Sequence, residues 1–528
     1  MLRSFQSKLF RMMHTASKSQ KYEQFFRYTS GRWLWDEEKE LPESIGAKTC
    51  VSMIKLAEGG YNKVFRLVMD NGSVAIARIP CPNAGPAFKT TASEVVWTLT
   101  ILNIAVPKIH AWSAVADNPV QAEYIVMEKA LSRSLADVWG DIGLRSKDKV
   151  IGDLVATEKK LLSVSFTRYG NIYFTKDSFP GCERADVSGD ISVELKREAE
   201  ERFVIGPVLD HAFWRKERPS IPIEGALVRK TAHDYLKALA NNQIKASDTQ
   251  NSPDAHIALY KKYLDISPYI LPEDKSMSRA TLWHWDMHAP NIFVKDDRIT
   301  SLIDWQSTWV GPLFLQYRYP KLVNYTGEVM LRLPENYKDM EKSEKDRVSD
   351  QVERSLVQFL YETETKKQNP LLVKVNDTPQ GTTRRRTIEF AEDTWDGDIL
   401  PFRQCLIRLE RHWHEMGFDV PCPIHFSEED IQNHMRDGEG WNEQADFWDG
   451  LEGVVARDGW TSNETYEEAL KMFAGLREEG LKQMTGEEGS DFEKRTRLAS
   501  MADRLGWGAY QPTKLDDYKH LPTKRLTA

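Results

Sequence analysis

Asp286 and Asn291 stand five residues apart in His284-Trp285-Asp286-Met287-His288-Ala289-Pro290-Asn291, and Asp304 follows thirteen residues later in Ile303-Asp304-Trp305. A carboxylate, an amide and a second carboxylate in that order suit phosphoryl transfer from ATP. Asp286 would position and deprotonate an attacking hydroxyl, while Asn291 and Asp304 would hold the magnesium ions that bridge the phosphates. Each residue alone means little, since most aspartates are solvated surface groups; the signal is the combination. His284 is expected to orient the loop backbone. His288 either approaches the transferred phosphate or shapes the loop.

His284 and His288 also mimic the i, i+4 pair of a zinc hydrolase. That site needs Glu after the first His, and Trp285 stands there. Pro290 also opposes a helix running through the motif.

The elements that must position these residues can be read from the pattern. Thr281-Leu282-Trp283 enters the loop as a strand. Asn291 to Val294 leaves it, Lys295-Asp296-Asp297-Arg298 turns, and Ile299 to Ile303 returns to Asp304. The three polar residues are therefore expected at the loop edges of one small antiparallel hairpin. Upstream, residues 50–80 alternate like strands: one from Val51 to Ile54, a second over Lys63–Met69 and a third over Val74–Ile79. Asp70-Asn71-Gly72-Ser73 is a hairpin turn signal. Gly59 and Gly60 sit where a turn could let backbone approach phosphates. Residues 91–103 have helical spacing, with Glu94 near the start, and Tyr124 to Met127 reads as a buried strand. The middle reads mostly helical, with an irregular stretch from Pro180 to Asp190.

The spacing of His284, Asp286 and Asn291 is that of the kinase loop H-R-D-x-x-x-x-N. Val74-Ala75-Ile76-Ala77-Arg78 resembles the kinase strand that ends in a phosphate-binding lysine. Arg78 can fork onto phosphate, and Glu94 can pair with it as in the lysine–glutamate pair of kinases. Glu128 and Ala130, in Met127-Glu128-Lys129-Ala130, lie where adenine would meet hinge backbone.

The chain resembles the aminoglycoside phosphotransferase and choline-kinase-like superfamily, a protein-kinase-like fold. More narrowly it resembles the fungal altered inheritance of mitochondria protein family, member nine. The resemblance runs over roughly residues 22–480 and is carried by Phe25 to Trp33, Gly60 to Phe65, Ala77 to Pro80, Phe203 to Pro207 and Leu282 to Gln306. It implies Asp286 as catalytic base, Asn291 and Asp304 as metal ligands, Arg78 and Glu94 as the nucleotide pair, ATP and magnesium as cofactors, and mitochondrial residence. Trp285 departs from the small residue or proline usual there, and Arg78 stands in place of lysine. No A-P-E segment follows Asp304, so a hydroxylated small molecule is expected as acceptor rather than a protein.

The fold expected is α+β and bilobal. Residues 1–22 form a presequence, and 23–128 hold the nucleotide-binding N-lobe with its preceding segment, its five strands over about 48–128. Residues 129–330 form the catalytic C-lobe and 331–528 a helical extension. A chain of 528 residues is too long for a single compact core. Its net charge of −8 opposes a broad nucleic-acid surface, and no apolar run reaches the ~18 residues of a membrane span. Five scattered cysteines, without a C-x-x-C pair, fit a reducing compartment. Residues 1–22 are basic, serine-containing and free of acid, with Leu2, Phe5, Leu9 and Met12 on one helical face, the pattern of a mitochondrial import signal. Within the extension, Val348, Val352, Leu356 and Leu360 share a helix face expected to pack on the main body, Thr382–Arg386 reads as a solvated basic turn, and Ser427 to Asp430 opens a helix. A rival reading from another class is a catalytically silent binding module, favoured by Arg78 and the weak glycine turn.

Overall fold

The computed structural model describes residues 45–58, 61–81, 84–98, 102–118, 120–130, 132–209, 231–246, 253–392, 394, 399–449 and 465–495. The presequence, Phe25 to Trp33, Gly59 and Gly60 lie outside them. The chain divides into two compact units, residues 1–434 and 435–528.

The first unit begins with an antiparallel sheet of β1 (Cys50–Glu58), β2 (Asn62–Met69), β3 (Val74–Pro80), β4 (Ile109–Ser113) and β5 (Tyr124–Glu128), in the order β1-β2-β3-β5-β4. Period-two alternation divides its faces. Phe65, Leu67, Met69, Ala75, Ala77, Ile79, Tyr124 and Val126 close a core on one side. Arg78, out of phase with that set, points to the other. Chain reversal between β2 and β3 uses Gly72 at φ +81°, and Gly72 N–H donates to Met69 O at 3.0 Å. The expected five-stranded lobe is present. Its β4 gave no pattern in the sequence, because all five of its residues are only half-buried.

β5 leads through Lys129 and Ala130 to β6 (Arg133–Ser134), which pairs not with that sheet but with strand Ile292–Lys295. Glu128 and Ala130 thus sit on the crossing between two sheets. The helical remainder has a larger core that runs from Val96 to Phe426. Helix Leu144–Leu162 packs against helix Lys342–Gln368, whose Val348 and Val352 are buried as their spacing predicted. Residues beyond 330 therefore complete the core around the candidate site.

Three local expectations are corrected. Glu94 ends the helix Lys89–Glu94 rather than starting one, and Val95–Thr98 tightens to a 3₁₀ turn. Residues 164–206 hold short strands, Glu183–Arg184 and Val187–Gly189 among them, that are too brief to show a period. Thr382–Arg386 is not a turn but the first part of helix Gly381–Glu392. Consecutive residues on a helix face three directions ~100° apart, so three arginines in a row cannot all reach solvent. Arg384 is buried, and its guanidinium donates to Ile270 O at 2.7 Å and Tyr269 O at 2.9 Å, closing the end of helix Pro253–Ile270.

At the far end of the unit, Ser427 Oγ accepts from Asp430 N–H at 3.1 Å, and Asp430 Oδ2 accepts from Ser427 N–H at 2.9 Å. This reciprocal cap starts helix Glu428–Asp449 as expected. The second unit contains helices Tyr466–Gln483 and Gly486–Arg495, where the Phe492 ring lies against Gly480. Among the described residues no helix is long and apolar enough to cross a membrane. All five cysteines are free thiols.

Candidate active site

The hairpin forms as its sequence predicts. Strands Ile292–Lys295 and Arg298–Leu302 pair antiparallel, and Asp296 and Asp297 take left-handed φ of +52° and +61° at the turn, matching the strands' twist. Ile303 N–H donates to Asn291 O at 3.0 Å. That bond brings Asp304 back beside Asn291.

His284 is buried and binds at both ring nitrogens. Nδ1 accepts from Asp286 N–H at 3.2 Å, which leaves the proton on Nε2 to be donated to Ile303 O at 3.0 Å. Burial lowers its pKa, so this neutral form persists. His284 thereby joins the loop carrying Asp286 to the strand end carrying Asp304, and it has no nitrogen left for zinc. Trp285 is anchored by its indole N–H, donated to the buried Gln316 Oε1; Gln316 Nε2 in turn donates to Trp309 O at 3.1 Å. The unusual residue is thus a fixed part of the loop.

Around Asp286 the carboxylate is half-exposed. Oδ1 meets Lys321 Nζ at 3.1 Å and His288 Nδ1 at 3.1 Å. Asn291 Nδ2 donates to Asp286 Oδ2 and to Asp286 O, each at 3.1 Å. His288 Nδ1 also meets Asp286 O at 3.0 Å, so this ring shapes the loop through one nitrogen.

Across from the loop, Arg78 is buried at 6% exposure. Its Nη1 pairs with Glu94 and lies 3.3 Å from Asp304 Oδ1, and Nη2 donates to Gln306 Oε1. Gln306 Oε1 also accepts from Asn62 Nδ2 at 2.6 Å, and its Nε2 donates to Ala84 O at 3.1 Å. Burial and the negative charge of Asp304 raise the Glu94 pKa to about 7, against the opposing pull of Arg78. Asp304 sits at φ +62°, a left-handed conformation that aspartate adopts more readily than most L-residues.

The donor set fits magnesium. Asn291 turns its amide N–H groups to Asp286, and its Oδ1 meets no hydrogen-bond donor among the described residues. With the Asp304 carboxylate it offers hard oxygens of the kind Mg²⁺ takes from protein, while phosphates and water supply the rest.

The structure therefore brings together Asp286, His288, Asn291, Asp304, Arg78 and Glu94. Glu128, exposed, and Ala130 lie on the inter-sheet crossing. Sequence reasoning missed Gln306 and Lys321 as members of the site, and Asn171 behind it. Asn171 is buried; Nδ2 donates to Ser93 Oγ at 3.0 Å and Thr308 O at 2.9 Å, while Oδ1 accepts from Leu209 N–H at 2.8 Å. It clamps the residue before Glu94 to the segment after Asp304. Gln306 stands two residues past Asp304, a position that could have been weighed; Lys321 and Asn171 carry no signal.

No family model matches the chain. It is 27% identical to a subtelomeric hrmA-associated cluster protein of Aspergillus fumigatus, over 82% of this chain and 94% of that protein. It is 26% identical to altered inheritance of mitochondria protein 9, mitochondrial, of Yarrowia lipolytica (80% of this chain, 82% of that one) and 23% identical to the Saccharomyces cerevisiae protein of that name (81% and 75%). Among solved structures, an aminoglycoside phosphotransferase APH(4)-Ia complex with AMP-PNP and hygromycin B aligns at TM-score 0.33 and 12% identity, over 71% of this chain and 96% of that one. Homologues from several yeasts are named as mitochondrial, in agreement with the residence expected from the N-terminus. With its β-rich first lobe and helical second lobe, the chain is similar over most of its length to the proteins named altered inheritance of mitochondria protein 9.

Proposed function

We propose that the chain is an ATP- and magnesium-dependent phosphotransferase that moves the γ-phosphoryl group to a hydroxyl of a small molecule in mitochondria. The observation that carries this reading is the hairpin closure: the Ile303–Asn291 backbone bond and the His284 bridge hold Asp286, Asn291 and Asp304 on one rim. Asp286 accepts the acceptor's proton and fixes its direction of attack, with Asn291 Nδ2 and Lys321 orienting the carboxylate. Asn291 and Asp304 hold magnesium, whose charge offsets the negative charge of the phosphates. Arg78 and Glu94, with Gly59 and Gly60, serve the nucleotide phosphates, His288 offers its remaining nitrogen to them, and Glu128 and Ala130 meet adenine.

One observation favours the silent binding module: both Nη atoms of Arg78 are already engaged by Glu94, Asp304 and Gln306. Thermal melting separates the readings. Ligand at a hundredfold excess over its Kd stabilises the folded state by about 2.7 kcal/mol. Melting should rise with ATP plus magnesium, and a screen of hydroxylated metabolites should find magnesium-dependent ADP release. A nucleotide shift without any acceptor turnover supports the binding module; no shift at millimolar ATP removes the nucleotide from both readings.

A further inference from the structure

Arg385 is charged, half-buried and unanswered. It lies on helix Gly381–Glu392, its Nη1 is fully enclosed, and none of its donors meets an acceptor among the described residues. The Phe314 ring lies 5.2 Å from its guanidinium carbon. Burial, and next the like charge of Arg318, pull its pKa down to about 10. A guanidinium has five N–H donors, and leaving a buried charged donor unsatisfied is unfavourable.

The surroundings join this residue to the catalytic loop. Phe314 belongs to the helical turn Leu313–Gln316, whose Gln316 holds the Trp285 indole. Arg318 lies 5.5 Å from the centre of the Trp285 ring, donates Nη1 to Leu315 O at 2.6 Å, and pairs through Nη2 with Glu389. Two guanidiniums here have one carboxylate near them, and Arg318 has taken it. Three residues further on, Lys321 reaches Asp286 with a side chain that is 73% exposed. Of the three cations on this flank, Lys321 is paired with Asp286 and Arg318 with Glu389, while Arg385 has no ion-pair partner among the described residues, so the flank carries one more positive than negative charge.

We infer that the phosphoryl acceptor is an oxyanion-bearing hydroxyl compound, its carboxylate or phosphate held by Arg385 and Lys321 against the Arg318–Trp285 stack while its hydroxyl faces Asp286. The inference rests on the phosphotransferase reading and narrows its substrate class. A polycationic acceptor would meet like charge on this flank, so the site selects against it by repulsion as well as for anions by attraction.

The test uses the full chain with AMP-PNP and magnesium, so that the nucleotide site is filled. Inorganic phosphate, D-glycerate and glycerol 3-phosphate are titrated by calorimetry, with glycerol and kanamycin as neutral and cationic controls. At least one oxyanion should bind, glycerol and kanamycin should not, and Arg385→Met should weaken the oxyanion at least tenfold while leaving the AMP-PNP melting shift in place. Glycerate binding without phosphate binding assigns the subsite to carboxylates; the converse assigns it to phosphate groups. Lys321→Met, at an exposed position, should weaken the same probe and keeps the test alive if Arg385→Met fails to fold. The inference is overturned if no oxyanion binds, if both variants bind it as the parent does, or if kanamycin binds in preference. Absence of the AMP-PNP shift alone would instead count against the phosphotransferase reading.

Discussion

The two sides of the candidate site are built to opposite rules. On the side of Arg78 the polar groups are interlocked: Arg78 is spent on Glu94, Asp304 and Gln306, and Gln306 on Asn62 and Ala84. On the side of Asp286 charges stay exposed or unmatched, with Asp286 held by the long, exposed Lys321 side chain and Arg385 Nη1 held by no acceptor among the described residues. Buried pairs contribute little net stability against an apolar replacement, yet breaking one is costly. The interlocked side is therefore rigid and intolerant of single changes, whereas the Asp286 side can exchange its contacts more freely.

The contrast between the sides can be broken at several points. Asp286→Asn should lower turnover about 10²–10⁴-fold and leave the ATP–magnesium melting shift nearly intact. Asp304→Ala should lose both, because it removes the proposed metal ligand. Equal behaviour of the two variants in paired kinetic and melting assays would mean that the sides are not separate. Arg78→Met strands a buried carboxylate and should cost roughly 3–5 kcal/mol in denaturant unfolding at pH 8. The loss should shrink at pH 6, where Glu94 can take up a proton.

Glu158 sharpens the rule in a third place, away from both sides. It is buried on helix Leu144–Leu162 and accepts from Tyr361 Oη at 2.9 Å, while its Oε2 has no hydrogen-bond partner among the described residues. Burial raises its pKa to about 8, against the weaker pull of Tyr361. An acid whose folded pKa is raised binds more protons folded than unfolded, so its contribution to stability falls as pH climbs from about 4.5 to about 8. Glu158→Gln should therefore flatten that slope and gain a few kcal/mol at pH 8, at roughly 1.4 kcal/mol for each tenfold change in proton affinity. An unchanged pH–melting profile would mean that the carboxyl finds a partner on folding. The smallest effect is expected of Asn171→Ala, about 1–3 kcal/mol from the backbone and hydroxyl groups it leaves unsatisfied. Its mark on function should be a weaker ATP–magnesium shift, because Asn171 touches both Ser93 and Thr308; a stability loss with an unaltered shift would make it merely structural.

What was legible in the sequence follows from range. The hairpin, its turn and the spacing of Asp286, Asn291 and Asp304 are local, and the pattern of types and intervals carries them. The Arg78–Glu94 pair was reachable only through a family pattern, since the two residues lie 16 apart and meet by the packing of a helix on a sheet. Lys321, Asn171 and Arg385 were not reachable. Each is placed by contacts 35 to 137 residues away, or by a helix that three consecutive arginines disguise as a basic turn. Propensity says that arginine runs are solvated; it does not say which member of a helical run must face the core.

The left-handed backbone at Asp304 works as a filter on descent. Only glycine, asparagine and aspartate settle there at little cost, so a lineage that lost its chemistry while keeping its fold would leave Asn or Gly as the scar. The genetic code reaches both from an aspartate codon by a single base change. The residue at this one position, read across related chains, should sort working enzymes from retired ones before any of them is purified.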